Sequence, residues 1–445
     1  MKLKIVAAVA AIGLAAYAKA PAIGYMLDIS RDKVPTMASL RRMVDVLSAL
    51  GYNQFQLYTE HTFAYKAHAT VWADASPMTA EEIRELDAYC RDRGIELVPN
   101  QNSFGHLEKW FKHPEYRPLA EAPYGGVKTS WKSTMVVPRA LCPTDPQSIA
   151  FIASLYDELL PNFTSKLFNV GCDEVWELES AGMGRSWDDV SKTSRQKVWI
   201  DYFKKVVAEA EKRGRTVMFW DDMVVRRHPE LIPELPKNAI ALEGGYELKK
   251  GIDACIYERD CANLAKNCYR FYVCPGSSTW NAITGRHFNM KTNVDEAVSA
   301  GLKYGAEGFL MCDWGNGGMC QPWITALPSL IYMRAKIDGK TLTDDEIAAK
   351  VDGIAGAKCG QALIRYQNLY RLSGDPNPFN RNTIHQLLSN GMNVKPRGMT
   401  DKTIAAVAAE HAAAKGDLDL TGAPDWVRDG FAVMDLLLEA AYLRW

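Results

Sequence analysis

Eight short apolar or β-branched runs punctuate this chain, at residues 23–29, 52–59, 96–102, 167–174, 216–222, 240–247, 270–278 and 308–314, and the intervals between them leave room for helices. Parallel strands cannot be joined by a hairpin, so this alternation is the pattern of a parallel sheet linked by helical crossovers. Amphipathic stretches over 37–50, 80–93, 146–160, 198–213 and 294–304 fill several of the intervals. Gly51, Gly94, Gly214 and Gly305 stand where helix C-termini favour a left-handed residue. Eight such units predict an α/β fold, a (β/α)8 TIM barrel over residues 21–335. Beyond it the chain turns Ala- and Leu-rich, with Pro376, Pro378 and Pro396 in loops and helical patterns over 401–414 and 425–443. Residues 336–445 are therefore expected to form a C-terminal helical subdomain.

The 445 residues are enough for that barrel and its appendage, and 52 Lys plus Arg against 53 Asp plus Glu leave a net charge of −1. A chain so nearly neutral has no electrostatic reason to bind nucleic acid, and no such partner is expected. Residues 1–20 read as a secretory signal: Lys2 and Lys4, then an apolar run, then small residues at Ala16, Ala18 and Ala20. Export to the periplasm or beyond is the expectation, with no membrane span after cleavage because the apolar run is short. No Cys directly follows the cleavage site, which argues against a lipid anchor. The ten cysteines show no CxxC or zinc spacing, and Cys172, Cys274 and Cys312 lie in strand-like runs where a thiol acts as a small buried hydrophobe. A disulfide among Cys255, Cys261 and Cys268 stays open. No metal or cofactor is expected.

In barrels of this kind chemistry sits at the C-terminal ends of the strands. Those ends carry Asp28 and Arg31; Tyr58, Glu60 and His61; Asn100, Asn102 and His106; Asp173 and Glu174; Trp220, Asp221 and Asp222; Glu243 and Tyr246; Ser277, Ser278 and Trp280; Asp313 and Trp314. Carboxylates mixed with Trp and Tyr around one rim suit a neutral sugar, since aromatic faces cover its C–H surfaces and acids bond its hydroxyls or move protons. The sharpest local feature is the adjacent pair Asp173-Glu174. Successive strand side chains point to opposite faces, so both acids reach one ligand only if the strand ends at Asp173 and Glu174 opens the loop.

Several segments together resemble glycoside hydrolase family 20, the β-N-acetylhexosaminidases, and in particular its hexosaminidase D-like branch. Val170-Gly171-Cys172-Asp173-Glu174 is similar to the family's Gly-Gly-Asp-Glu signature with Cys in place of one Gly. Gly24-Tyr25-Met26-Leu27-Asp28 resembles the first strand, and Asn100-Gln101-Asn102-Ser103-Phe104-Gly105-His106 the third strand and its His loop. Phe219-Trp220-Asp221-Asp222, 275–281 and Cys312-Asp313-Trp314-Gly315 look like later barrel segments.

The resemblance implies an exo-acting hydrolase of terminal β-linked GlcNAc or GalNAc and a carbohydrate partner. Glu174 would be the general acid and later the base, which asks for a pKa raised by burial against aromatic walls. Asp173 would orient the substrate's own 2-acetamido group, the nucleophile in such substrate-assisted catalysis. Tyr246 would donate to the acetamide oxygen, Trp220, Trp280 and Trp314 would wall its pocket and stack on the sugar, and Asp313 would bind hydroxyls. Glu60, His61 and His106 are further sugar-binding candidates, with Asp28 and Asp222 behind them as partners of Arg31 or Arg226. The family's usual Arg before the first-strand Gly is Ile23 here, and its His-rich second strand reads Gln56-Leu57-Tyr58-Thr59-Glu60-His61. The preference between the 4-hydroxyl epimers is therefore open. Three other readings stand beside this one. A two-carboxylate retaining glycosidase could use Asp222, Glu243 or Asp313 as nucleophile. A metal-dependent sugar isomerase or aldolase could gather Glu60, His106, Asp173 and Glu243, and a non-catalytic glycan-binding barrel would need no chemistry at all.

Overall fold

The computed structural model of the protein describes residues 21–125, 137–180, 184–247, 256–375, 382–389 and 395–445. The signal-like segment 1–20 lies outside these residues. Eight parallel strands are present: β1 (Ala22–Asp28), β2 (Gln54–Tyr58), β3 (Glu96–Val98), β4 (Leu167–Asn169), β5 (Thr216–Trp220), β6 (Ile240–Gly244), β7 (Phe271–Cys274) and β8 (Gly308–Asp313). Their order, β3-β2-β1-β8-β7-β6-β5-β4, follows the chain around a ring. A bridge between Asn100 and Asn169, with Gln101 N donating to Asn169 O at 3.0 Å, closes the ring just past β3 and β4. The predicted (β/α)8 barrel is the observed fold.

The principal helices between strands are α1 (Met37–Ala49), α2 (Ala80–Arg91), α3 (Pro146–Leu159), α4 (Arg195–Lys212), α5 (Ile256–Lys266), α6 (His287–Tyr304) and, after β8, α7 (Leu327–Ile337). Several starts are capped by side chains: Thr36 accepts from Ser39 N, and Thr79 with Glu82 forms a reciprocal capping box. Gly305 closes α6 at φ +77°. One interval lacks an α-helix. Between β5 and β6 the chain makes only the 3-10 turn Pro229–Glu234, where Pro229 and Pro233 deny the backbone the donors that a longer helix needs.

The two faces of the sheet are distinct. Ile23, Tyr25 and Leu27 of β1 and Phe309 and Met311 of β8 belong to the main core between sheet and helices. Met26, Met218, Trp220, Ile240, Leu242, Leu310 and Cys312 form a smaller cluster that fills the barrel's interior. This period-two alternation decides which polar residues at the strand ends face the lumen. After α7 come α8 (Asp344–Ala355), α9 (Gly360–Asn368), α10 (Asp401–Gly416) and α11 (Asp425–Arg444), whose Leu363, Val407, Phe431 and Leu438 are fully or almost fully buried in the same main core. Among the described residues no helix is long and apolar enough to cross a membrane. Cys261 and Cys268 are both free thiols, so the disulfide left open there does not form through them; Cys255 lies outside the described residues.

Candidate active site

The acid pair does not sit at a strand end. β4 stops at Asn169, four residues earlier than Asp173, because the backbone turns left-handed: Gly171, Cys172 and Glu174 have φ of +66°, +70° and +51°. Residues other than glycine adopt this region only when their surroundings enforce it. Here Trp220 N donates to Gly171 O at 3.0 Å, Trp199 Nε1 to Cys172 O at 3.0 Å, and Glu174 N to Asp222 Oδ2 at 3.4 Å. A Cβ on Gly171 would fall 1.6 Å from Asn102 Oδ1, and one on Gly105 would fall 2.3 Å from the Asp173 carbonyl oxygen. The loop after β3 thus packs directly on the acid segment, and two glycines make the approach possible.

His106, itself left-handed at φ +59°, joins the two loops. Its Nε2 lies 3.2 Å from Asp173 Oδ2 and 3.5 Å from Glu174 Oε2, and its Nδ1 3.6 Å from Glu60 Oε1. Burial raises the Asp173 carboxyl, but the His106 contact, the residue's own backbone N–H and Arg31 together outweigh it and hold Asp173 below the ordinary carboxylate range. Asp173 Oδ1 is buried and, among the described residues, has no hydrogen-bond partner. Glu174 differs from the expectation of an acid walled by aromatics. Its side chain is 41% exposed and its Oε2 lies 3.3 Å from the Arg139 guanidinium.

The aromatic residues gather at the same rim. Ring centroids of Trp220 and Trp314 are 5.6 Å apart, those of Tyr246 and Trp314 6.1 Å, and those of Tyr246 and Trp280 5.4 Å. Trp280 is almost wholly covered behind Tyr246, so it supports the wall and offers no face to a sugar. Trp220 Nε1 is buried without a partner among the described residues. On the other side of the rim, Arg31 binds Asp28 at 2.6 Å and Glu60 at 2.9 Å, with its guanidinium over the Tyr58 and Trp314 rings. Tyr58 donates to Glu60 at 3.1 Å and accepts from Asn102 at 2.6 Å. Burial pushes Glu60 up to about 7 and, together with Asp173, Asp222 up to about 8.

Two candidates point elsewhere. Asp313 shares the outer sheet face with Phe309 and Met311, where Tyr25 (2.6 Å), Ser277 (2.9 Å) and Thr279 (2.5 Å) all donate to its carboxylate. It is a buried structural acid and not a sugar ligand, since the protein already supplies its donors. Glu243 is likewise outward, fully buried beside Asp221, with Arg226 at 3.3 Å. His61 stands apart from the acids; burial and the charges of Lys109 and Arg31 bring it down to about 4. No three His, Cys, Asp or Glu side chains among the described residues are grouped as metal ligands would be. Arg139 went unnoticed in the sequence because it lies in a long loop without periodicity, yet it touches both His106 and Glu174.

Fold and site together define a (β/α)8 barrel with a carboxylate pair and an aromatic wall at its C-terminal rim, an architecture suited to glycoside chemistry. The family model for the glycosyl hydrolase family 20 catalytic domain matches residues 23–244. The chain belongs to glycoside hydrolase family 20. Hexosaminidase D of Bos taurus is 25% identical over 193 residues, 43% of this chain and 52% of that protein. A beta-hexosaminidase of Akkermansia muciniphila is 25% identical over 220 residues, 44% of this chain and 43% of that one. The chain therefore spans about half the length of these relatives. Among solved structures, the chitobiase of Flavobacterium johnsoniae superposes with a TM-score of 0.58 at 16% identity, covering 94% of this chain and 71% of that one. This likeness is one of fold.

Proposed function

We propose that the protein is an exo-acting β-N-acetylhexosaminidase that hydrolyses terminal β-linked GlcNAc or GalNAc by substrate-assisted, retaining catalysis. One observation carries the reading: Asp173, held below the ordinary carboxylate range, keeps a buried oxygen, Oδ1, that has no partner among the described residues. Of the alternative nucleophiles, Asp313 and Glu243 face outward, and Asp222 is held up to about 8 and so is protonated near neutral pH. None of these three therefore suits the nucleophile's role in a conventional two-carboxylate mechanism.

In the proposed reaction Glu174 protonates the glycosidic oxygen while the acetamide oxygen of the substrate attacks C1 and the leaving group departs. Asp173 Oδ1 accepts the acetamide N–H and balances the positive charge that develops on the resulting oxazoline ring. Tyr246 and the Trp220 and Trp314 rings confine the acetamide, and Trp220 Nε1 is free to donate to it. Glu174, now ionised, takes a proton from water as that water opens the ring at C1. Arg31 stands across the rim as a donor to sugar hydroxyls, so an arginine from the loop after β1 supplies the charge that Ile23 lacks. The order of charge, apolar run and small residues in 1–20 supports export.

Hydrolysis of matched aryl β-glycosides of GlcNAc, GalNAc and glucose, with and without a thiazoline mimic of the oxazoline, tests the reading. Cleavage confined to the acetamido sugars and blocked by the thiazoline is expected. Cleavage of the glucoside would overturn substrate assistance.

A further inference from the structure

We propose that Arg139 is a positioning residue that holds His106 as the neutral imidazole with its proton on Nε2. Arg139 lies 2.8 Å from His106 Nδ1 through one guanidinium nitrogen, which is also 3.3 Å from Glu174 Oε2. A guanidinium can only donate. The nitrogen facing it at that distance must therefore present a lone pair, and the ring's proton is left on Nε2, where it donates to Asp173 Oδ2 at 3.2 Å. Glu60 does not compete for Nδ1, because 3.6 Å exceeds a hydrogen bond.

The position of Arg139 is itself secured. Its Nε pairs with Glu108, its backbone N donates to Glu177 Oε1 at 2.7 Å, and Ala140 N donates to the same oxygen at 2.9 Å. The charged and titratable groups facing the imidazole are Glu60 from the loop after β2, Glu108 from the segment after β3, Asp173 and Glu174 from the loop after β4, and Arg139; the Tyr58 ring meets it edge-on at 6.4 Å. Burial and Arg139 oppose a second proton, while Asp173 and Glu174 favour one. The contact decides between them: a proton on Nδ1 would point at an N–H of Arg139. Arg139 is thus what separates a neutral ring from an imidazolium among acids.

The difference matters to the reaction proposed above, on which this inference rests. A neutral His106 orients Asp173 without cancelling its charge, so the full carboxylate faces the cation developing on the acetamide. An imidazolium at the same place would pair with Asp173 and Glu174 and weaken both.

Nitrogen-15 NMR of histidine-labelled full-length protein at pH 7 reads the ring directly, with His106 assigned by the signals lost in His106→Asn. The wild type is expected to show one protonated and one lone-pair nitrogen, the protonated one being Nε2. In Arg139→Met both nitrogens become protonated and kcat falls roughly ten- to hundredfold, as for the loss of other orienting partners, with KM changed less. Arg139→Lys, which keeps a donor, restores part of the neutral signal. A doubly protonated ring in the wild type, which needs no variant to fold, would overturn the proposal, as would an unchanged ring in Arg139→Met. A wild type inactive on acetamido sugars would overturn the hydrolase reading alone, since the tautomer is read without substrate.

Discussion

Two arcs of the barrel rim carry acids, and they treat them differently. On the arc formed by β8, β1 and β2, the protein saturates them: Asp313 takes three hydroxyl donors, Asp28 takes Arg31, Ser30 N and Gly315 N, and Glu60 takes Arg31 and Tyr58. On the arc from β4 to β6, Asp173 Oδ1 and Trp220 Nε1 are buried and unsatisfied among the described residues. A buried polar atom without a partner costs about 1–3 kcal/mol, which stability alone would remove. The second arc keeps that deficit, and a ligand amide placed between the two atoms would relieve it. Polar residues at strand ends are thus a mixture of scaffold and site, and the face of the sheet they take, together with unsatisfied hydrogen-bonding capacity, tells them apart.

The comparison breaks most severely at the acids. Glu174→Gln is expected to lower kcat by about 10²–10⁴ on aryl glycosides with poor leaving groups and far less on those with good ones. Asp173→Asn should be crippled on both, since in the proposed reaction the acetamide attack is what expels either leaving group. Equal losses on all substrates in the Glu174 variant would remove it from the acid role.

Next in size is the backbone that presents them. Gly171→Ala places a methyl 1.6 Å from Asn102 Oδ1 on a residue at φ +66°. It should destabilise the fold by about 2 kcal/mol or more and displace both acids. A thermal melt and kcat read together check this; a variant with wild-type values in both would show that the loops after β3 and β4 are not locked.

Asp313→Asn sharpens the contrast between the arcs. Three hydroxyls that now donate to a carboxylate would face an amide that must itself donate, for a loss of about 1–3 kcal/mol in stability with KM held within about twofold. A tenfold rise in KM without a change in melting temperature would return Asp313 to the sugar.

The smallest effect is on pH. Glu60 and Glu243 are pushed up to about 7 and Asp222 up to about 8, chiefly by burial. Such groups bind more protons folded than unfolded above the ordinary carboxylate range near about 4, so stability is lost as pH rises from there through about 8. His61, brought down to about 4, works the other way up to about 6.5 and offsets part of it. Melting temperature should fall from pH 5 to pH 8.5, and a rise over that interval would show these carboxyls to be ionised in the fold.

Much of this was legible in the sequence. Eight apolar runs named eight strands, and the Asp173-Glu174 pair with Trp220, Tyr246 and Trp314 marked the candidate site. Strand lengths were less so: Pro99 to Asn102, Val170 to Cys172 and Pro275 to Ser278 extend the runs chemically, but the backbone leaves the ladder at Val98, Asn169 and Cys274. The facing of Asp313 and Glu243 was readable and went unread, since counting by twos from Met311 or Ala241 puts both on the outer face. Arg139 had no local signal, because its partners lie 33 and 35 residues away along the chain.

The left-handed run from Gly171 to Glu174 also bears on how such a protein can change over time. A substitution on the rim alters one contact, but an insertion or deletion of one residue within 169–174 would exchange the sites of Asp173 and its neighbours and force a bulky residue into the slot that Gly171 occupies against Asn102. The loop after β3, whose Gly105 meets the Asp173 carbonyl, is bound by the same constraint. The spans from Asn169 to Glu174 and from Asn102 to His106 are lengths that evolution or an engineer must leave untouched.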